Sequence, residues 1–157
     1  MTMSTTVAGE LFILPDGIPL GIDWEVGDAS TNWFVVFNHP DQCTDPCGED
    51  DVIAGLPPVE DGGPAGVSIH YAAGHVAGSS SWNSAGSLRE GDTSGMLFGL
   101  PLQDAMTAEV HIVARSHGPM ATIPPGSDRG YALNSVDGGC DANTCGDAQA
   151  AIFPPPS

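Results

Sequence analysis

Three histidines could supply ligands for a transition metal: His75, His111 and His117. Neutral imidazole is the commonest protein ligand for such metals. His111 and His117 share one β-like run, where six residues of strand would hold them about 20 Å apart. They can bind a single ion only if the strand bends, and His75 would have to join one of them from another strand. The alternative is that each histidine makes structural hydrogen bonds in a turn or loop.

Two acidic loops form a second candidate metal site, in this case for calcium. Calcium takes about six to eight oxygen ligands, and irregular loops can wrap around it. The spacing Asp141-x-Asn143 is similar to the start of an EF-hand loop, but Cys145 occupies the next ligand position. The alternative is that these acids are simply solvated. The residues that would supply the oxygens are Asp45, Glu49, Asp50, Asp141, Asn143 and Asp147.

Serine-nucleophile catalysis has little support in the sequence. The chain contains no G-x-S-x-G motif. Ser116 and His117 are neighbours, and neighbours on a strand point to opposite faces. Carboxylates are so numerous that spacing cannot single out a glycosidase-like pair. The sequence therefore favours a non-enzymatic protein, while catalysis at a metal stays an alternative.

Four cysteines occur as two close pairs, Cys43 with Cys47 and Cys140 with Cys145. Three disulfide connectivities are open, and two local bridges are the simplest. A zinc site made of four thiolates is the alternative, although its usual short spacing is nearer to C-x2-C. Disulfides would indicate an oxidising compartment.

The charge of the chain excludes several classes of partner. Three arginines and no lysine stand against twenty acids, which gives a net charge of −17. Nucleic acid and anionic membrane surfaces both attract cationic proteins, so neither is expected as a partner. No apolar run is long enough for a membrane span. A saline or calcium-containing exterior would screen the self-repulsion of the chain.

The hydrophobic pattern predicts an all-β chain that folds as one domain over residues 1–157. Twenty-one glycines and fourteen prolines suit many turns, and Trp33–Phe37 is typical of a central strand. We predict a turn at 28–32, one helical turn within 101–106, and a long acidic loop at about 38–66 that contains the first cysteine pair. The other expected strands are 18–26, 67–71, a separate strand from 74, 108–117 and, as strand or short helix, 148–153. An antiparallel sandwich of Greek-key or immunoglobulin-like type is expected, with a small barrel as the alternative.

The strand at 108–117 makes the sharpest structural prediction. Its apolar residues should face the core, while the opposite face should be more polar. Arg115 should pair with an acid on a neighbouring strand or loop, because Glu109 lies too far along the same strand. The core face comprises Val110, Ile112 and Ala114, and the other face comprises Glu109, His111, Val113, Arg115 and His117.

The run from His111 to Pro119 resembles the AHIHGPA signature of the chordin-type (CHRD) domain, with a longer spacing between its histidines. More of the chain resembles a group of uncharacterised exported bacterial and archaeal proteins. The resemblance implies a secreted, CHRD-like β-sandwich with paired cysteines, and it implies no chemistry. No export signal is visible in the chain. The segments that carry the second resemblance are 36–40, 43–50, 73–76, 108–119 and 138–145.

Together these observations predict a non-enzymatic extracellular or cell-surface domain that acts in binding or assembly. A protein partner or self-assembly would be its mode of action, and calcium is the expected stabilising ion. The alternative is a small metal-binding protein or metalloenzyme that uses the histidines.

Overall fold

The computed structural model describes residues 18–19, 25–44, 46–78, 86–122, 133–134 and 146–156. Its strands are β1 (Ile18–Pro19), β2 (Asp28–Phe37), β3 (Val67–Val76), β4 (Met96–Phe98), β5 (Glu109–Pro119) and β6 (Gly146–Phe153). They form one sheet in the order β1-β6-β5-β2-β3-β4, and every pairing is antiparallel. The mainly antiparallel β fold is therefore confirmed. Across the described ranges the sheet is open, with β1 and β4 at its edges, and does not close into the alternative barrel.

The central strand is β2, which lies between β3 and β5 and is buried along all ten residues. Its apolar half, Trp33–Phe37, confirms the predicted central strand. The turn predicted at 28–32 is wrong, because β2 already begins at Asp28. This polar half is stable as buried strand because neighbouring strands supply hydrogen-bond partners to its side chains. Of the strand expected at 18–26, β1 covers the first two residues, 20–24 lie outside the described ranges, and a turn follows at 26–27.

Residues 67–76 form the single strand β3 and not two separate strands. Asn32 pairs with Ala73 and Trp33 with Tyr71, so one residue of β3 is left unpaired in a β-bulge. The bulge shifts the alternation of side chains along β3. Tyr71 therefore lies on the face of Trp33, whereas His75 lies on the opposite face with Ser30.

One face of the sheet, which we call the leucine face, is covered by residues 86–108. Leu88 and Leu102 of this segment are buried against the strand side chains. The segment makes a hydrogen-bonded turn from Asp104 to Ala108, which begins later in the chain than the helical turn expected within 101–106. The strand side chains in this core are Phe34, Val36, Val110 and the partly buried Ala72 and Ile112.

The other face, which we call the disulfide face, is covered by residues 38–66. This segment was predicted as a loop, but it contains the helix α1 (Glu49–Gly55) and two short 3-10 turns, Pro40–Gln42 and Glu60–Gly62. A third 3-10 turn, Met120–Thr122, follows β5. In the part of the chain that the structure describes, no helix is long and apolar enough to cross a membrane. The core of this face comprises Val35, Phe37, Cys47, Ala65 and Val67.

The predicted alternation of β5 is confirmed, with Val110 and Ala114 buried and Ile112 packed against the core of the leucine face. The opposite face is more polar, as predicted, and it is also largely covered. His111 is buried as well, because the segment 38–66 packs over this side of the sheet. Both faces of β5 therefore contribute to packing.

Candidate functional site

The predicted histidines lie on opposite faces of the sheet. His75 Nε2 is 3.3 Å from the Ser30 hydroxyl, and His117 Nε2 is 2.8 Å from the Thr31 hydroxyl. Ser30 and Thr31 are consecutive on β2, so their side chains point to the leucine face and the disulfide face respectively. The structure therefore places His75 away from His117, and each histidine pairs with its own hydroxyl.

His117 belongs to a buried polar chain at the end of β5. The Trp33 indole N–H donates to the Thr31 hydroxyl over 2.7 Å, and the same hydroxyl shares the hydrogen bond with His117. Trp33 also packs edge-on against Tyr71, with ring centroids 5.6 Å apart. This network satisfies polar groups in the interior, which is the structural role that we considered as the alternative to metal binding.

His111 pairs with a carboxylate on its own strand. Its Nε2 is 2.7 Å from Glu109 Oε1, and its ring lies 4.8 Å from the ring of Phe37. Arg115 donates to Asp147 Oδ1 over 2.8 Å. Asp147 lies on β6, so the prediction that the partner of Arg115 comes from a neighbouring strand or loop is confirmed.

A fourth histidine, His70, is buried to the same extent as His117. Its Nε2 is 3.1 Å from the Ser68 hydroxyl, while its buried Nδ1 has no hydrogen-bond partner among the described residues. Burial lowers the pKa of His70, partly opposed by the negative charge of Asp92. Burial also lowers the pKa of His75. Both rings are therefore neutral near pH 7, which suits residues inside a fold.

Those predicted metal ligands that the structure describes are not gathered into one cluster. Within the described ranges, no three side chains of His, Cys, Asp or Glu lie together as ligands for an ion. Glu49 and Asp50 are exposed at the start of α1. Asp147 lies on β6 and pairs with Arg115 of β5. The remaining predicted calcium ligands, Asp45, Asp141 and Asn143, lie outside the described residues.

The first cysteine pair forms the predicted disulfide. Cys43 and Cys47 are joined with their Cα atoms 5.0 Å apart, and Cys47 is buried in the core of the disulfide face. The second predicted bridge, between Cys140 and Cys145, lies outside the described residues. The disulfide thus closes a short loop within the segment 38–66, just before α1, and Cys47 packs against the sheet.

Asp51 holds the same segment together through hydrogen bonds. Its carboxylate accepts from the backbone N–H of Thr44 and of Gly48, each over 2.9 Å, and from the Thr44 hydroxyl. Burial alone would raise the pKa of Asp51, but these hydrogen bonds outweigh it and the pKa is lowered. The carboxylate is therefore charged, and it ties the disulfide loop to the first turn of α1. In the sequence, Asp51 is one acid among many in this loop, and nothing marks its role.

A second residue that we missed is Asn38, which is buried directly after β2. Its amide donates to the carbonyls of Gly66 and Pro101, and its side-chain oxygen accepts from the Gln103 N–H. Asn38 therefore connects the segment 38–66 with the segment that covers the other face. The available signal was an amide residue at the end of an apolar strand, followed by His39 and Pro40.

The segment 38–66 also exposes an apolar patch, which we define as Ile53, Leu56, Pro57, Pro58 and Val59. Ile53, Leu56 and Val59 are 57%, 40% and 44% exposed, and both prolines are exposed. Successive turns, from the Leu56 N–H to Ile53 and from the Val59 N–H to Leu56, order this stretch. Exposed acids precede and follow the patch in the chain: Glu49, Asp50, Glu60 and Asp61.

Compared with protein-family profiles, curated proteins and solved structures, the chain shows no match to any of them.

Proposed function

We propose that the chain is a non-enzymatic binding or assembly domain that works outside the cell or at its surface. The described sheet would form one layer of a β-sandwich, and the burial of both faces of β2 supports a layered packing. One observation carries the proposal: the segment 38–66 is firmly held on the sheet while its large apolar side chains are exposed to solvent.

The way in which the segment is held supports this interpretation. The Cys43–Cys47 disulfide, the Asp51 hydrogen bonds and the Asn38 amide bonds all order its backbone. An ordered loop loses less conformational entropy when it binds a partner. The disulfide itself supports an oxidising location, since such bonds persist in secreted and surface proteins.

The arrangement of the histidines gives the metalloprotein alternative less support. His75, His111 and His117 each pair with a side chain of the same protein, respectively Ser30, Glu109 and Thr31. These pairings supply a structural reason for each imidazole.

Site-specific photo-crosslinking tests the proposal. Benzoylphenylalanine placed at Ile53 should give one discrete adduct when the chain is produced in its native host. The same probe at Met106, which is 61% exposed on the segment that covers the leucine face, is the control. The adduct should weaken when Cys43 and Cys47 are both replaced by serine. Equal labelling from both positions, or none, would count against a binding role for the segment 38–66.

Metal measurements separate the proposal from its alternative. Calcium should raise the Tm more than the same ionic strength of sodium chloride does if an ion stabilises the domain. An equal effect would leave only screening of the negative charge. A stoichiometric transition metal in the purified protein, lost on substitution of His75 or His117 by alanine with the Tm unchanged, would favour the metalloprotein alternative.

A further inference from the structure

We infer that the apolar patch on the segment 38–66 binds a cationic polypeptide segment in which an apolar side chain is flanked by lysine or arginine. This inference rests on the proposed binding function and names the chemistry of the partner. It follows from the exposure of the patch, from the way its backbone is held, and from the charge around it.

The exposure of the patch is unusual because its residues lie close together in the chain, between 53 and 59. Single exposed apolar side chains are common on proteins, whereas contiguous ones mark contact surfaces. Ile53, Leu56 and Val59 lie within one short stretch that also includes two exposed prolines. The stretch therefore offers apolar area that a partner could bury.

The backbone around this stretch is closely packed. Gly55 and Gly62 are both buried, and a Cβ atom would overlap the backbone of Gly62 in the first case and of Val67 on β3 in the second. Gly62 also has a φ of 75°, which glycine adopts without strain. The patch is consequently presented on an ordered base, and its exposure does not result from a loose tether.

The charge around the patch selects a cationic partner. Glu49 and Asp50 precede it, Glu60 and Asp61 follow it, and residues 38–66 contain no lysine or arginine. Complementary charges accelerate association and disfavour partners of the same sign. A segment with lysine or arginine on both sides of an apolar residue would match the acids and the patch together.

The same charges argue against a second copy and against an anionic membrane. A two-fold dimer through this patch would place identical surfaces together, so the acids of one copy would face the acids of the other. With a net charge of −17, the chain is also repelled by anionic lipid headgroups.

Titration of a defined peptide against the full chain tests the inference. The probe is a short synthetic peptide with one tryptophan flanked by lysines, and amide chemical shifts report where it binds. We expect shifts centred on residues 49–61 and an affinity that falls with salt. Replacing the tryptophan by serine should weaken binding by at least about tenfold. Equal affinity for the two peptides, or shifts spread over all acidic surfaces, would overturn the inference.

Matched variants locate the contact. Ile53→Ser with Leu56→Ser should weaken peptide binding by at least about tenfold, whereas Leu97→Ser with Met106→Ser removes equally exposed side chains elsewhere and should have little effect. The double variant Glu49→Gln with Glu60→Gln should reduce the salt dependence of the peptide affinity. The control variant Glu25→Gln with Glu90→Gln should reduce it less. The Tm of each variant is measured to exclude unfolding. Equal losses in test and control variants would contradict the assignment.

Two further measurements test whether the patch instead binds a lipid surface or a second copy of the chain. Stronger binding to zwitterionic vesicles than to the peptide, or a dimer in sedimentation that the patch variants dissociate, would overturn the cationic-segment inference. If the crosslinked adduct at Ile53 persists in the native host while the peptide fails to bind, the proposed function stands and only the partner chemistry is wrong.

Discussion

The two segments that cover the sheet are held in place by different means. Residues 86–108 bury Leu88 and Leu102, whose side chains are 2% and 0% exposed, in the core of the leucine face. Residues 38–66 bury the small side chains of Cys47 and Ala65 against the sheet, while a disulfide and a buried carboxylate order the segment from within.

This difference has a consequence for the apolar side chains of each segment. A segment attached by leucines must bury them, because burial of those side chains is what stabilises it. In the segment 38–66, the Cys43–Cys47 disulfide and the Asp51 hydrogen bonds order the backbone from within, so Ile53 and Leu56 need not be buried to fix its conformation. The way in which the segment 38–66 is ordered therefore agrees with its proposed role in binding.

The largest loss of stability is expected for Leu102→Ala, in the segment 86–108. Leu102 is fully buried, so the substitution removes apolar contacts and leaves a cavity, which should lower the free energy of unfolding by about 2–5 kcal/mol. Denaturant unfolding, followed by the fluorescence of the buried Trp33, measures the change. A loss below about 1 kcal/mol would show that the segment 86–108 is not held by its leucines.

Removing the disulfide should have the next largest effect. The double substitution Cys43→Ser with Cys47→Ser opens a very short loop, for which chain entropy predicts a loss of about 2 kcal/mol. Hydrogen exchange should increase in α1 more than in β5, since both cysteines lie in the segment 38–66, shortly before α1. An increase of the same size in both elements would show that the bond stabilises the whole fold equally.

Asp51→Ala should cost somewhat less, about 1.5 kcal/mol, through the loss of hydrogen bonds to a charged acceptor. The folded pKa of Asp51 is below its ordinary value of 3.8, so the unfolded chain takes up the proton first as the pH falls. The stabilisation by Asp51 is therefore complete above that value and is lost as the pH falls through the folded pKa. Urea unfolding gives the free energy of unfolding of the wild type and of the Asp51→Asn variant between about pH 5 and pH 2.5. The difference in this free energy between the two proteins should narrow as the pH falls. A difference that stays constant would refute the stabilising role of the Asp51 carboxylate.

A smaller, pH-dependent effect is expected on the leucine face. Burial lowers the pKa of His70 below its ordinary value of 6.5, so the unfolded chain binds the proton more readily. The contribution of His70 is complete above about pH 6.5 and declines below it. His70→Gln should make stability less sensitive to pH between about 7.5 and 5.5. His75→Gln is the comparison, because the pKa of His75 is lowered by burial in the same direction. If the pH dependence of stability stayed unchanged in both variants, the two histidines would not contribute to it.

The sequence predicted those parts of the fold that depend on local apolar patterns. Alternation identified the two faces of β5, and the run Trp33–Phe37 identified the central strand. The polar half of β2 could not be predicted in this way, because Ser30 and Thr31 are stabilised by His75 and His117 from distant parts of the chain. Such pairings depend on strand register, which local propensity does not specify.

The candidate site was predicted even less completely, for a related reason. The spacing of Cys43 and Cys47 was enough to predict their bond. The roles of Asp51 and Asn38 follow from backbone groups of Gly48, Gly66 and Pro101 that only the folded chain brings near them. The exposure of Ile53 was also hidden, since an apolar residue in a sequence is expected inside.

The smallest changes in stability are expected for substitutions in the apolar patch. Ile53→Ala and Leu56→Ala remove side chains that are 57% and 40% exposed, so each should change the free energy of unfolding by no more than about 0.5 kcal/mol. Leu102→Ala, measured under the same conditions, is the matched control with a buried side chain. The same patch variants should still weaken binding of the cationic peptide, because their apolar area contributes only when a partner covers it. If Ile53→Ala instead destabilised the fold by as much as Leu102→Ala, Ile53 would be a core residue, and both segments would be attached in the same way.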